Sequence, residues 1–238
     1  MWDNPRLLNA AAGALLALAV LLLLSAALQL LLRSTLFPVR EITVLGGLQQ
    51  TGREQIERVA YGGVAGNFFA ADLAALRVAL EQLPWVRRVS VRRVWPDRIE
   101  VTLEEHEAFA RWGASGLVNT HGERFAATSV ASLPMFAGPA GTEAEVTRRY
   151  RQFSALLAPL GEAPERVILT PRFAWQLRLA RGLNLELGRD SARERVEQRL
   201  ARFVAAHPRT LARIPRQHEY VDLRYPNGFA LRVPELKG

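Results

Sequence analysis

From Leu8 to Leu32 the chain is apolar except at Asn9, Ser25 and Gln29. A helix needs roughly 20 such residues to cross the hydrocarbon core of a bilayer. Inside lipid a helix satisfies its own backbone hydrogen bonds, so the run predicts one transmembrane helix. A cleaved signal peptide is the competing reading, with Ser25-Ala26-Ala27 as its small-residue cleavage site. Its apolar stretch would span only about 7–15 residues, which favours the anchor. Charge does not orient the helix, because Arg6 lies on one side and Arg33 and Arg40 on the other. No second apolar run returns the chain, so everything after Leu32 is expected on one side.

Beyond the span the pattern alternates between strand and helix periods. Val39 to Leu45 reads as a strand closed by Gly46-Gly47. Thr51-Gly52-Arg53-Glu54 has the spacing of a capping box and opens a short helix to about Ala60. Leu73, Leu76 and Leu80 recur at helical spacing within a helix expected from Asp72 to Leu83, stopped by Pro84. Trp85 to Trp95 and Arg98 to Glu104 predict a hairpin around Pro96-Asp97. Ile99, Val101 and Leu103 alternate there with Arg98, Glu100, Thr102 and Glu104. The order is β-α-α-β-β.

Short strands follow at Ala108–Trp112, Gly116–Asn119 and Glu123–Ala126, with Leu133-Pro134-Met135-Phe136 leading to the turn Gly138-Pro139. Thr142 to Glu145 reads as a second capping box, opening a helix to about Leu160. Strands resume at Arg166–Thr170, Ala174–Leu179 and Leu183–Leu187. Ser191 to Glu194 is read as the cap of a helix carrying Val196, Leu200 and Phe203 on one side. A final hairpin, Tyr220–Tyr225 and Phe229–Val233, is expected across Pro226-Asn227-Gly228, since Asn-Gly tolerates positive φ.

Composition adds exclusions. Of 238 residues none is cysteine, which removes disulfides and thiolate chemistry. The net charge of +8 is almost all arginine, with Lys237 the one lysine. Such a balance permits anionic lipid, nucleic acid or an acidic partner without choosing among them. Glu104-Glu105-His106-Glu107 resembles a ligand cluster, but neighbours on a strand point to opposite faces. Gly62-Gly63-Val64-Ala65-Gly66 lacks the Lys-Ser/Thr of a phosphate loop. Ser115 lies outside any G-x-S-x-G setting. No catalytic constellation, cofactor site or metal site is expected. Arg87, Arg88, Arg92 and Arg93 form a basic stripe, read first as a solvated face pairing with Glu100 and Glu104, and second as a docking surface for acidic segments or anionic lipid. The last strand, if it ends a sheet, can accept a strand from a partner. Pro234 and the tail protecting that edge is the plainer alternative.

Several strings carry a resemblance. In the first module they are Leu83-Pro84-Trp85-Val86, Val89-Ser90-Val91-Arg92 and Trp95-Pro96-Asp97. The second adds Ala110-Arg111-Trp112, Leu133-Pro134-Met135, Ala174-Trp175-Gln176-Leu177, Leu185-Glu186-Leu187-Gly188-Arg189, Arg199-Leu200-Ala201-Arg202-Phe203 and Tyr220-Val221-Asp222-Leu223-Arg224-Tyr225. The first module resembles a POTRA domain, and the ordered set is similar to the FtsQ/DivIB family of bacterial cell-division proteins. The resemblance implies an α+β protein. Its parts are a cytoplasmic head (1–7), a transmembrane helix (8–32), a linker (33–38), a POTRA domain (39–107) and a mostly antiparallel β domain with two helices (108–238). It implies a non-catalytic divisome scaffold at the inner membrane, type II, its carboxy terminus periplasmic. The implied partners are FtsB and FtsL, with FtsB adding a strand to the last strand of the sheet. The positions carried over are Arg224, Tyr225, Asn227, Gly228, Phe229 and Leu231, with Arg172 before Ala174-Trp175 set to meet an acidic partner side chain. Asn227 and Phe229 stand where the family carries smaller residues, and Arg232 where it carries glycine. An anchored domain binding anionic surfaces through arginine-rich faces is the alternative.

Overall fold

The computed structural model describes residues 5–33, 37–63, 67–210, 219–226 and 228–232. Backbone contacts divide the chain into two units, Met1–Glu105 and His106–Gly238.

The first unit opens with helix α1 (Pro5–Arg33). Within it Leu8–Leu31 is long and apolar enough to cross a membrane, with a mean hydropathy of 2.6 and no part of the window buried in protein. Then come β1 (Glu41–Leu45), α2 (Arg53–Gly63), α3 (Leu73–Glu81), β2 (Val86–Val94) and β3 (Arg98–Glu105). The sheet order is β1-β3-β2, with β1 parallel to β3 and β2 antiparallel to it. The alternation on β3 works as expected: Ile99, Val101 and Leu103 are buried against Ile56, Leu76 and Leu80 of the two helices. Asp72 caps α3, its Oδ1 accepting from the amides of Ala74 and Ala75. The helix ends two residues short of the expected Leu83.

The capping box expected at Thr51–Glu54 is not what starts α2. Helical bonding begins at Gly52, whose carbonyl accepts from Gln55 and Ile56. The carboxylate of Glu105 takes the amides of Gln49, Gln50 and Thr51 instead, at 2.7–3.3 Å. Burial pushes the Glu105 carboxyl up, yet these donors outweigh it and hold the group below its ordinary value.

The second unit is a nine-stranded mixed sheet with two helices. Its strands are β4 (Ala108–Trp112), β5 (Gly116–Asn119), β6 (Arg124–Phe125), β7 (Met135–Ala137), β8 (Pro164–Leu169), β9 (Trp175–Leu179), β10 (Asn184–Gly188), β11 (Tyr220–Asp222) and β12 (Ala230–Arg232). Helices α4 (Glu143–Leu157) and α5 (Val196–Ala206) cover one face. They bury Phe153, Leu157, Leu200 and Phe203 against Val167, Trp175 and Leu185. Arg149 of α4, itself buried, pairs with Asp190 and Glu197 and ties the helices together. Thr142 starts α4 without the expected box; its hydroxyl donates to the Pro139 carbonyl. At the other cap, Ser191 and Glu194 close a turn on each other. Helix α5 therefore begins later, at Val196, where Gln198 accepts from the Arg195 amide and Asp190 from that of Val196.

Candidate functional site

Among the described residues the sheet order is β12-β11-β10-β9-β8-β7-β4-β5-β6, which puts β12 last, paired antiparallel to β11. Strand β11 runs parallel to β10, with Glu186 opposite Asp222, and β10 runs antiparallel to β9, with Gly188 opposite Trp175. This register places the segment after Asp222 and the β8–β9 turn at one end of the sheet. At roughly 4.8 Å per strand, the turn holding Arg172 lies about 10 Å across from the chain leaving β11.

Arg172 is exposed in that turn. Phe173 donates to the Thr170 carbonyl and Thr170 Oγ1 accepts from the Ala174 amide, which fixes the turn. Arg224, by contrast, is committed. Its Nε and Nη2 form a fork with the carboxylate of Asp222 at 2.6–3.0 Å. The guanidinium's hydrogen bonds hold the largely buried Asp222 carboxyl below its usual range although burial opposes this, and Asp222 raises Arg224 in return. Burial, followed by the charges of Asp222 and Glu186, pushes the Tyr220 phenol up. The arginine stem lies over Gly188, where an added Cβ would stand 2.9 Å from Arg224 Cγ. Gly188 also has a φ of 73°, so the position demands glycine twice over.

Tyr225 projects its ring into solvent, 54% exposed, while its carbonyl accepts from Arg202 of α5 at 3.2 Å. Gly228 and Phe229 lead into β12. Phe229 stacks edge-on against Phe203 at 5.9 Å, and Leu231 packs on the core beside it. The side chains of Phe229 and Leu231 thus serve the packed platform beneath β12. Asn227 lies outside the described residues, as does Val233.

The expected hairpin is shorter than its sequence pattern. Among the described residues Tyr220–Asp222 and Ala230–Arg232 pair as strands of three residues each, with Asp222 opposite Ala230. The Arg224–Asp222 fork, the Arg202 tether and the Phe229 ring hold the described residues on either side of Asn227. Beside them a groove of about 630 Å³ is lined by Arg193, Glu194, Arg199, Arg202, Arg224 and Pro226, among others. Glu194 binds both Arg199 and Arg202 there, and Arg199 donates to the carbonyls of Leu187 and Arg189. The sequence pattern gave no notice of the buried polar residues Glu186, Arg199 and Asp222. Gln176 donates to Glu186 at 2.8 Å. Arg199 alone shares the inward stripe of Val196, Leu200 and Phe203, whereas Glu186 and Asp222 alternate with the core residues Leu185, Leu187 and Val221 and lie on the sheet's other face.

The basic stripe on β2 is largely spoken for within its own unit. Arg87 pairs with Glu104 at 2.5 Å and Arg92 with Glu100 at 2.6 Å. Arg93 donates to the carbonyls of Phe68, Phe69 and Ala71. In the acidic run, Glu104 and Glu105 hold Arg87 and the 49–51 amides, and the His106 ring stacks on Phe125 at 4.2 Å. Among the described residues, no three His, Cys, Asp or Glu side chains stand together as metal ligands.

Comparison with known families matches residues 110–224 to "Cell division protein FtsQ/DivIB, C-terminal" and residues 37–106 to "POTRA domain, FtsQ-type". The chain is 44% identical to Cell division protein FtsQ of Burkholderia pseudomallei over 240 residues, covering 100% of this chain and 96% of that one. The FtsQ of Nitrosospira multiformis is 43% identical, covering 98% and 99%. That of Neisseria gonorrhoeae is 33% identical, covering 98% and 95%.

Proposed function

Because the chain belongs to the FtsQ/DivIB family of cell division proteins, we propose that it is a non-catalytic scaffold of the division septum that captures FtsB, paired with FtsL, by strand addition to β12. Residues 1–7 form a cytoplasmic head and 8–32 span the inner membrane. Residues 33–38 link to a periplasmic POTRA domain (39–107), and 108–238 form the β domain that meets the partner. The observation that carries this reading is the position of β12 at the end of the sheet order, with β11 as its neighbour. Alternate residues of an antiparallel edge strand send both main-chain groups outward, and a second extended chain satisfies them. The exposed ring of Tyr225 and the exposed side chain of Arg172 stand at the same sheet end, ready to add side-chain specificity.

Co-purification of FtsB and FtsL with the full-length chain at moderate salt tests the reading. Tyr225→Ala removes an exposed ring, so the fold persists, and both partners are expected to be lost or sharply depleted. Retention of both would overturn the site. Capture driven by arginine faces alone would instead fall steeply with added salt and ignore Tyr225.

A further inference from the structure

The first unit carries exposed aromatic residues at the end of its sheet nearest the membrane helix. Asn67 Nδ2 donates to the carbonyl of Leu31 at 3.1 Å, and Leu31 is the last residue of the apolar span. Phe68 donates its amide to the Phe37 carbonyl at 2.7 Å, and Asn67 Oδ1 accepts from the amides of Phe69 and Ala70. The 67–70 turn is therefore tied to the helix end itself. Arg93 donates to the carbonyls of Phe68, Phe69 and Ala71, which makes that turn rigid.

The β2–β3 turn lies at the same end. Glu41 is opposite Arg98, and the Arg40 amide donates to the Asp97 carbonyl at 2.9 Å. From Phe37 to Arg40 the chain reaches at most about 10 Å. Three apolar rings are consequently gathered near the span's end. Trp95 is 79% exposed, Phe69 43% and Phe37 38%, with Phe37 and Phe69 in edge contact at 5.3 Å. Large rings left in water at a rigid turn mark an interaction surface.

We propose that Trp95, Phe69 and Phe37 insert into the lipid headgroup boundary on the soluble side of the membrane, seating the POTRA unit on the bilayer at a fixed tilt. The proposal rests on α1 being a membrane anchor. The Asn67–Leu31 bond sets these rings at the depth where the hydrocarbon ends, the layer that amphipathic aromatic residues favour. The nearby arginines add little attraction for anionic headgroups, because Arg40 is paired with Asp97 and Arg98 with Glu41. The rings carry the docking.

The absence of cysteine makes single-cysteine spin labelling direct. The full-length chain is placed in nanodiscs of phosphatidylethanolamine with a minority of phosphatidylglycerol, labelled at Ala70→Cys, Gln50→Cys or Leu22→Cys. Gln50 sits at the far end of the same sheet. The label at 70 is expected to show several-fold lower access to a water-soluble relaxation agent than the label at 50. Trp95→Ser with Phe69→Ser should raise access at 70 to the level seen at 50, while far-ultraviolet circular dichroism stays unchanged. Equal access at 70 and 50 in the parent chain, or no change at 70 in the double variant, would overturn the proposal. The label at 22 separates the two readings: shielding there with aqueous access at 70 removes the seating alone, whereas aqueous access at 22 removes the anchor and the seating together.

Discussion

Strands β2 and β12 both end a sheet, and they treat that position oppositely. Strand β2 is nine residues long, and its Arg87, Arg92 and Arg93 are engaged by Glu104, Glu100 and the carbonyls of its own unit. Charge along an edge discourages a foreign strand, because pairing would strip water from side chains already balanced. Strand β12 is three residues, Ala230, Leu231 and Arg232, with Leu231 directed to the core. The stiff platform lies behind it: Phe229 on Phe203, Arg224 on Asp222, Arg202 on the Tyr225 carbonyl. Arginines paired within their own unit line the first edge, and packed side chains hold the described part of the second in shape.

The widest break in this contrast comes from removing the platform. Phe203 is fully buried, so Phe203→Ala should cost about 3–5 kcal/mol in a denaturant titration, and partner capture should fail with it. Next are Ala230→Pro and Leu231→Pro. Alternate residues of β12 turn outward, so one proline deletes a donor offered to a partner and the other a donor shared with β11. Calorimetry should show affinity weakened roughly tenfold or more by either change, about 1.4 kcal/mol. A proline in β12 without effect would end the contrast.

Glu105→Gln sharpens it on the closed side. The charged acceptor for three amides is weakened, at a cost of about 1 kcal/mol after allowance for solvent screening. The folded Glu105 titrates below its unfolded value of 4.5, so its contribution is complete above that pH and is lost as pH falls through the lower, folded value. Thermal melts of the parent chain should therefore fall on acidification more than those of Glu105→Gln. Smaller still, Arg172→Glu should weaken capture a few-fold without moving the melting temperature, since the side chain is exposed. Arg92→Ser on β2 is expected to change neither melting nor capture.

Much of this architecture is legible in the sequence because it is written locally. The apolar run of α1, the alternation of Ile99, Val101 and Leu103, and the stripe of Val196, Leu200 and Phe203 each follow from one periodicity and one buried face. What the sequence hides is non-local. The Thr51–Glu54 spacing suggests a cap, but Glu105, fifty-odd positions away, takes those amides first. Arg224 and Phe229, beside the turn expected at Asn227-Gly228, find their partners in Asp222 and in Phe203 of α5. Arg172 and Tyr225 come to one end of the sheet only through the parallel pairing of β11 with β10, which no local pattern announces.

Amide hydrogen exchange of the full-length chain, with and without the soluble segment of FtsB, tests the central claim most directly. Strand addition predicts that amides of β12 slow by an order of magnitude or more on complex formation while those of β2 keep their rates. A bound complex in which β12 exchanges as before, or in which protection appears along β2 instead, would contradict the account.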